Sequence, residues 1–373
     1  MIIGVLKEIK KNEYRVAATP AVVSEIVRRG HTVLVQKDAG LGSGFSDAEY
    51  AAAGAAILET AEEVYTKADL FYKVKEMFPE EFRYLKKDKI LYTYIHSNAH
   101  PQETDALLDS RITAFAYEDI TDEKGGFPLL KPMSILAGKG GFLAAAHHMQ
   151  SVFGGNGTLL ANVCGVETPV ISIIGAGNSG VAAAELAAGF GNTVRIMDIS
   201  MKAMEEAKAK LPANVSFLIS NRENLVKCLR DSDVLINCIL WPKHRKDHLV
   251  NREDLRLMKP GAMIVDVACD DAGAIETCIS TTHDDPVYFV DGVKHYCVDN
   301  IPSAFARTAS VLLSNATLPF LLAIAGKGAE QAVKDDVHLR DGLTCYDGLL
   351  TLRETALKQN RVWTDPNELV KKF

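Results

Sequence analysis

Ionisable side chains stand at the carboxyl ends of four predicted strands. They are Lys75, His96, Glu118 and Asp270, and Arg15 lies in the loop after the first strand. In an open parallel sheet, ligands bind beyond the carboxyl ends of the strands, so we expect these groups along one edge. Such a set is typical of an acid–base site for a small carboxylate. We interpret Glu118 as a structural or supporting group.

Each of these residues also has a purely structural interpretation that the sequence leaves open. Lys75 could be a solvated strand end, and His96 could be a loop histidine or a strand cap. Arg15 could be a surface cation paired with Glu13, and Asp270 could cap a helix. No group of residues has the spacing of metal ligands, so no metal site is predicted.

A glycine-rich turn follows the predicted strand Val170–Ile174. Gly175, Gly177 and Gly180 have the G-x-G-x-x-G spacing and open an Ala-rich helix. The glycines permit a tight turn, a close approach to a pyrophosphate and close helix–strand packing. Asp198 follows Gly175 by 23 positions, near the roughly 20 that the motif requires. A carboxylate there accepts hydrogen bonds from ribose and repels a 2′-phosphate, which predicts NAD.

The order of predicted elements indicates an α/β protein. Short apolar strands alternate with amphipathic helices over the first 120 residues, and a second such run starts at Pro169. Residues 133–152 are predicted to form one long helix between the two runs, and a long apolar helix is predicted to end near Ala325. This alternation predicts parallel βαβ units. The length of 373 residues suggests about two domains.

Composition excludes several classes of protein. The chain has 41 Lys and Arg against 48 Asp and Glu, a net charge of −7, and no basic run, so no nucleic-acid partner is expected. The longest apolar run, residues 316–325, is interrupted by Pro319, so no membrane span is expected. The seven cysteines lack a C-x-x-C pair, and the first residues lack the order of a signal peptide, which predicts a cytoplasmic protein.

The chain resembles the bacterial L-alanine dehydrogenases, within the wider alanine dehydrogenase and transhydrogenase family. The resemblance is strongest in residues 4–17, 74–76, 132–134, 175–180, 281–286 and 315–319. It implies two Rossmann-like, doubly wound domains separated by a cleft. The substrate domain is then discontinuous, residues 1–128 plus 307–373, and residues 129–306 form the NAD-binding domain. Members of the family are usually hexameric, so a homo-oligomer of six subunits is expected.

The resemblance also implies an activity and a role for individual residues. The expected reaction is the NAD-dependent deamination of L-alanine to pyruvate and ammonium, and its reverse. Arg15 would bind the substrate carboxylate, Lys75 would contact the reacting oxygen, His96 would be the general acid or base, and Asp270 would orient the attacking water or ammonia. Further substrate contacts are expected from Tyr94, Met133 and Asn300. The expected cofactor contacts are Ser134, Gly175, Gly177, Asn178, Gly180, Asp198, Ser220, Ile239, Leu240, Val267, Asp270, Val298, Asn300 and Ile301.

Four residues depart from the pattern of the family: Ile135, Lys139, Asp271 and Asp299. The two additional acids motivate an alternative function, an opine-type reductase that condenses pyruvate with a basic amino acid. A second alternative is an NAD(H)-binding module without substrate chemistry, as in a transhydrogenase. The set of Arg15, Lys75 and His96 argues against that module, since NAD binding needs none of the three.

Overall fold

Two compact units make up the computed structural model, which describes residues 1–242, 245–269 and 273–373. Unit 1 is assembled from two segments, Met1–Met133 and Ala306–Phe373, and unit 2 is Ser134–Phe305. Each unit contains one largely parallel sheet flanked by helices. The predicted α/β fold with two Rossmann-like domains is confirmed.

The sheet of unit 1 has eight strands and that of unit 2 has seven. In chain order the strands are β1 (Ile2–Val5), β2 (Thr32–Gln36), β3 (Ala56–Leu58), β4 (Leu70–Tyr72), β5 (Ile90–Thr93), β6 (Thr113–Ala116), β7 (Val170–Ile174), β8 (Thr193–Asp198), β9 (Val215–Ile219), β10 (Val234–Asn237), β11 (Met263–Asp266), β12 (Val287–Val290), β13 (Val293–Tyr296), β14 (Leu343–Tyr346) and β15 (Leu349–Leu350). The spatial orders are β15-β14-β6-β5-β4-β1-β2-β3 and β12-β13-β11-β10-β7-β8-β9.

Helices cover the sheets and fill the connections. They are α1 (Pro20–Arg28), α2 (Asp47–Ala52), α3 (Ala61–Lys67), α4 (Pro101–Ser110), α5 (Lys131–His148), α6 (Asn178–Gly189), α7 (Met201–Lys208), α8 (Arg222–Asp231), α9 (Ala306–Lys327), α10 (Ala329–Asp335), α11 (Val337–Asp341), α12 (Arg353–Gln359) and α13 (Pro366–Leu369). The start of α1 follows the sequence signal: Thr19 caps the helix by accepting from the backbone N–H of Val22, and Pro20 occupies the first turn.

The edges of both sheets depart from the parallel pattern. β14 pairs antiparallel with β6 and β15 pairs antiparallel with β14, while β12 pairs antiparallel with β13. The sequence predicts a strand at 288–290, within β12, but for β14 and β15 it predicts only a partly helical C-terminal segment. They form because the backbone of an edge strand offers unpaired hydrogen-bonding groups to any segment that returns alongside it.

Helix α9 belongs to the core of unit 1. Together with the turn before it, the segment 301–327 is long and apolar enough to cross a membrane by length and composition. Buried core helices pass the same test, and Ala309, Leu313, Leu321 and Ile324 of α9 are buried. The expectation of no membrane span stays a prediction.

Close packing of α5 on α6 depends on a missing side chain, which makes a stability prediction. A Cβ added to Gly138 would lie 2.0 Å from the carbonyl oxygen of Ser179, whereas one added to Gly189 would meet nothing within 4 Å. Gly138→Ala should therefore lower the free energy of unfolding by about 1–3 kcal/mol. The control Gly189→Ala should leave it unchanged or raise it by up to about 1 kcal/mol. Urea unfolding followed by circular dichroism measures both, and equal midpoints would contradict the packing argument.

Candidate active site

Four adjacent parallel strands bring the predicted site residues of unit 1 together. β6, β5, β4 and β1 are neighbours in the sheet and run in the same direction, so their carboxyl ends share one edge. The segments that leave these four ends carry, respectively, Glu118, His96, Lys75 and Arg15. This edge is where open α/β sheets bind ligands.

The charges of Arg15 and Lys75 affect the titration of their neighbours at this edge. The pKa of Lys75 is lowered, first by burial and then by the positive charge of Arg15. The pKa of His96 is lowered to about 4, first by burial and then by Lys75, with smaller effects from Lys10 and Arg15. Arg15 is buried and Lys75 is half-buried, and a small anionic substrate would relieve the repulsion between these two cations.

Arg15 is buried, with 3% of its surface exposed, and therefore is not a surface cation. It does pair with Glu13, as the structural interpretation of this residue supposed. Nε and Nη2 donate to the Glu13 carboxylate at 2.7 Å and 2.5 Å. Nη1 donates to Sδ of Met133 at 3.3 Å, so these two predicted substrate residues lie in contact. The Glu13 pair fixes the plane of the guanidinium and leaves the Nη1 side turned towards Met133.

A buried ion-pair network holds the segment that carries Lys75. The carboxylate of Glu8 accepts from the backbone N–H of Val74 at 2.6 Å. Lys73 is fully buried, and its ammonium lies 2.8 Å from Glu81 and 3.5 Å from Glu8. A buried charge needs a partner of opposite charge. The network therefore connects the segment that follows β4 to the segment that follows β1.

His96 adopts a backbone conformation that a non-glycine residue rarely takes. Its φ is +51°, in the left-handed region. The carboxylate of Glu118 accepts from the backbone N–H groups of His96 and Ile95, the latter at 3.1 Å, and lies 3.5 Å from Nδ1 of His96. The ring of Tyr94 stacks on the imidazole with centroids 5.8 Å apart, and its hydroxyl donates to the carbonyl oxygen of Leu129.

Sequence reasoning missed one acidic group at this edge. Lys10 donates to Oε1 of Glu76 at 3.1 Å, and Oε2 of Glu76 is buried without a hydrogen-bond partner among the described residues. Burial would raise the pKa of Glu76, but Lys75 and Lys10 outweigh it and lower the pKa to about 2. The adjacency of Glu76 to Lys75 at a strand end was the available signal.

The glycine-rich turn of unit 2 has the geometry of a dinucleotide-binding motif. β7 ends at Ile174, Gly175 has a φ of +104°, and α6 begins at Asn178. A Cβ on Gly180 would lie 1.8 Å from the carbonyl oxygen of Gly175, so only glycine fits. A Cβ on Gly177 would meet nothing within 4 Å of the described residues, which leaves the backbone there open to a ligand. The turn therefore fits a pyrophosphate at the start of α6.

Asp198 ends β8, the strand next to β7, as the motif requires. Its Oδ2 accepts from the backbone N–H of Ala176 at 2.7 Å, and its Oδ1 accepts from that of Ser200 at 2.8 Å. Each oxygen keeps a further lone pair for a ribose hydroxyl. The N–H of Ser220, after β9, donates to the carbonyl oxygen of Asp198 at 2.8 Å.

The other predicted cofactor residues mostly follow neighbouring strands of this sheet. Ile239 and Leu240 follow β10, Val267 follows β11, and Val298, Asn300 and Ile301 follow β13, while Ser134 lies in α5. Val298, Asn300 and Ile301 are buried and Leu240 is 80% exposed. Asp270, predicted to act in catalysis, and the departure at Asp271 lie outside the described residues.

The three described departures from the family pattern, Ile135, Lys139 and Asp299, lie in unit 2. Lys139 forms a surface ion pair with Glu185 of α6 at 2.7 Å, and Ile135 is partly buried in α5. Asp299 is exposed, and its backbone N–H donates to the carbonyl oxygen of Thr281. Nothing in the structure explains the replacement at Ile135.

Comparison with known proteins agrees with this architecture. Residues 4–137 match the model for the alanine dehydrogenase/PNT N-terminal domain, and residues 141–353 match that for the C-terminal domain. The chain is 44% identical to an alanine dehydrogenase of Halomonas elongata (95% of this chain, 96% of the relative) and 43% identical to that of Bacillus subtilis (95% and 94%).

Solved structures give the same result. A structure of L-alanine dehydrogenase matches with a TM-score of 0.92 at 36% identity, covering 96% of this chain and 99% of that one. A transhydrogenase from Sinorhizobium meliloti matches with a TM-score of 0.82 at 25% identity, covering 94% and 100%. The resemblance predicted from the sequence motifs is confirmed: the chain belongs to the alanine dehydrogenase/PNT family.

Proposed function

We propose that this protein is an NAD-dependent L-alanine dehydrogenase, which interconverts L-alanine, NAD and water with pyruvate, NADH and ammonium. The observation that carries the proposal is the cluster of Arg15, Lys75 and His96 at one sheet edge of a member of this family. A protein that only binds NAD needs none of these three groups. The burial of Arg15 and the electrostatic influence of Arg15 and Lys75 on His96 support substrate chemistry.

Arg15 and Lys75 supply the positive charge that the substrate requires. Arg15 binds the carboxylate, whose planar pair of oxygens matches the guanidinium fork. Lys75 stands beside the oxygen of the keto group, where negative charge develops as ammonia adds to the carbonyl carbon. Met133, which contacts Arg15, and Tyr94, which stacks on His96, border the same space.

His96 transfers the proton of the reaction. In the free protein its pKa is about 4, lowered first by burial and then by Lys75, so the imidazole is neutral at pH 7. A bound carboxylate offsets the nearby cations, which raises the pKa of His96 towards the working pH. The imidazolium then protonates the departing hydroxyl as water leaves and the imine forms. Such general acid catalysis contributes typically about 10²–10⁴-fold to the rate.

NAD is the proposed cofactor because the described residues fit it. The open backbone at Gly177 and the first N–H groups of α6 would hold the pyrophosphate, and Asp198 would hold the adenosine ribose. Bound NADH supplies the hydride that reduces the imine. In this proposal residues 129–306 bind NAD, and residues 1–128 with 307–373 bind the substrate.

The proposal extends to the assembly and the cellular setting of the protein. The resemblance to the family supports a homo-oligomer, a hexamer. The net charge of −7, the missing basic runs and the lack of a C-x-x-C pair in the sequence support a cytoplasmic enzyme that acts on small molecules without a nucleic-acid or membrane partner. The opine-type alternative, which Asp271 and Asp299 motivate, is an outcome of the test of amines below.

Oxidation of NADH with different amines tests the reaction. Absorbance at 340 nm should fall rapidly with pyruvate and ammonium together, because ammonia is the proposed nucleophile, and should not fall with pyruvate alone. Ornithine or lysine in place of ammonium should give little oxidation. Activity confined to the bulky amines would overturn the proposal in favour of opine formation, and inactivity with every amine would favour a module that only binds NAD(H).

Cofactor preference tests the role of Asp198. Asp198→Ala should raise the Kd of NADH by roughly 10–100-fold, since hydrogen bonds to a charged group are lost. The same change should weaken NADPH binding less, because the repulsion of the 2′-phosphate is also removed. Glu205→Ala, which removes an exposed acid from the following helix α7, is the matched control. Fluorescence titration measures both cofactors, and an unchanged ratio of the two Kd values would refute the ribose assignment.

A further inference from the structure

Glu118 contacts both the backbone and the imidazole of His96. One carboxylate oxygen accepts from the backbone N–H of both Ile95 and His96, and the same oxygen lies 3.5 Å from Nδ1 of the imidazole. A residue other than glycine rarely takes a left-handed backbone conformation, and the hydrogen bonds to Glu118 hold His96 in it. The carboxylate places Nδ1 next to itself, which leaves Nε2 as the nitrogen that can meet a substrate.

A small acidic cavity lies behind this pair. It has a volume of about 200 Å³, and its lining includes His96, Glu118, Asp119, Asp341 and Glu354. Asp341 and Glu354 are exposed, so the cavity reaches the surface of unit 1. Four carboxyl groups therefore line a short path from the imidazole to solvent.

Burial shifts the titratable groups along the path in opposite directions. It raises the pKa of Glu118, and burial followed by Lys75 lowers that of His96. Burial, followed by Glu118 and then Glu354, raises the pKa of Asp119. Burial thus favours a protonated carboxyl group and a neutral imidazole in this pair.

Nearby cations act on His96 in the same sense as burial. Lys75, Lys10 and Arg15 each lower its pKa, and Glu76 opposes them. A proton taken up by the imidazole from a substrate is therefore destabilised by these cations. The carboxylate of Glu118, 3.5 Å from Nδ1, is an acceptor within reach of that proton.

We propose that Glu118 is the positioning residue of His96 and its proton relay to solvent, a role that rests on the proposed dehydrogenase function. Deamination of L-alanine releases one proton besides NADH, pyruvate and ammonium. His96 takes that proton on Nε2 and gives the proton of Nδ1 to the Glu118 carboxylate. The resulting carboxylic acid passes its proton to water in the acidic cavity, and reductive amination runs the same path inwards.

Glu118→Gln tests the relay because glutamine keeps the size of the side chain and removes its charge. We expect kcat to fall at least about tenfold, with the KM for pyruvate and the Kd of NADH within about threefold. Loss of a negative charge beside Nδ1 lowers the pKa of His96, so the limb of the kcat–pH profile that reports His96 should move to lower pH. Glu123→Gln, an exposed carboxylate on the next loop, is the matched control and should change neither.

Two further variants keep the outcomes distinct. His96→Ala should lower kcat by at least about 10² while NADH still binds; undiminished turnover would refute the proposed role of His96 itself. If His96→Ala is inactive but Glu118→Gln keeps both the turnover and the pH profile of the unmodified protein, the relay is wrong and the proposed function stands. Glu118→Ala, which opens space beside the cavity, should regain activity when formate is added; a folded but unrescued Glu118→Ala would also overturn the relay.

Discussion

The parallel hydrogen bonding of β1, β4, β5 and β6 is the constraint on which the site depends. Parallel neighbours must end at the same edge, so each connection that leaves a strand there brings its first residues to a common place. The four site residues span 103 positions of the chain, from Arg15 to Glu118. They nevertheless follow four strands that are neighbours in one sheet. A shift of one strand out of this order would remove its residue from the site.

Burial then gives these residues their chemistry. Arg15, Lys73 and Glu8 are buried at this edge of the sheet. Each of them forms an ion pair or a hydrogen bond that offsets the loss of hydration. The pairing of Lys73 with Glu8 and Glu81 is structural, because it satisfies charges below the site. Lys75 and His96 remain close to other cations instead, and this imbalance favours an anionic substrate and a neutral histidine.

In unit 2 the carboxyl ends of the parallel strands also meet at one edge, where we propose that a different ligand binds. Its central strands β11, β10, β7 and β8 are also parallel, and the turn after β7 presents backbone groups in place of charged side chains. A pyrophosphate suits such a surface, because the first N–H groups of a helix have no partner within the helix. Gly180 shows how tight the arrangement is, since even a methyl group there would overlap the backbone of Gly175.

The sequence by itself determined the class of fold, most of the strands and the motifs of the family. β7 has the predicted bounds, Val170–Ile174, because a buried strand is a local apolar run bordered by turn residues. Strands β3, β14 and β15 were not predicted. They lie at the two edges of the sheet of unit 1, where a short segment becomes a strand only because its neighbour offers unpaired backbone groups. Only the tertiary structure decided that Arg15 is buried, that His96 takes a left-handed backbone and that Glu118 contacts it. These features arise between segments far apart in sequence, where the desolvation and charge of each group depend on neighbours that no local pattern specifies.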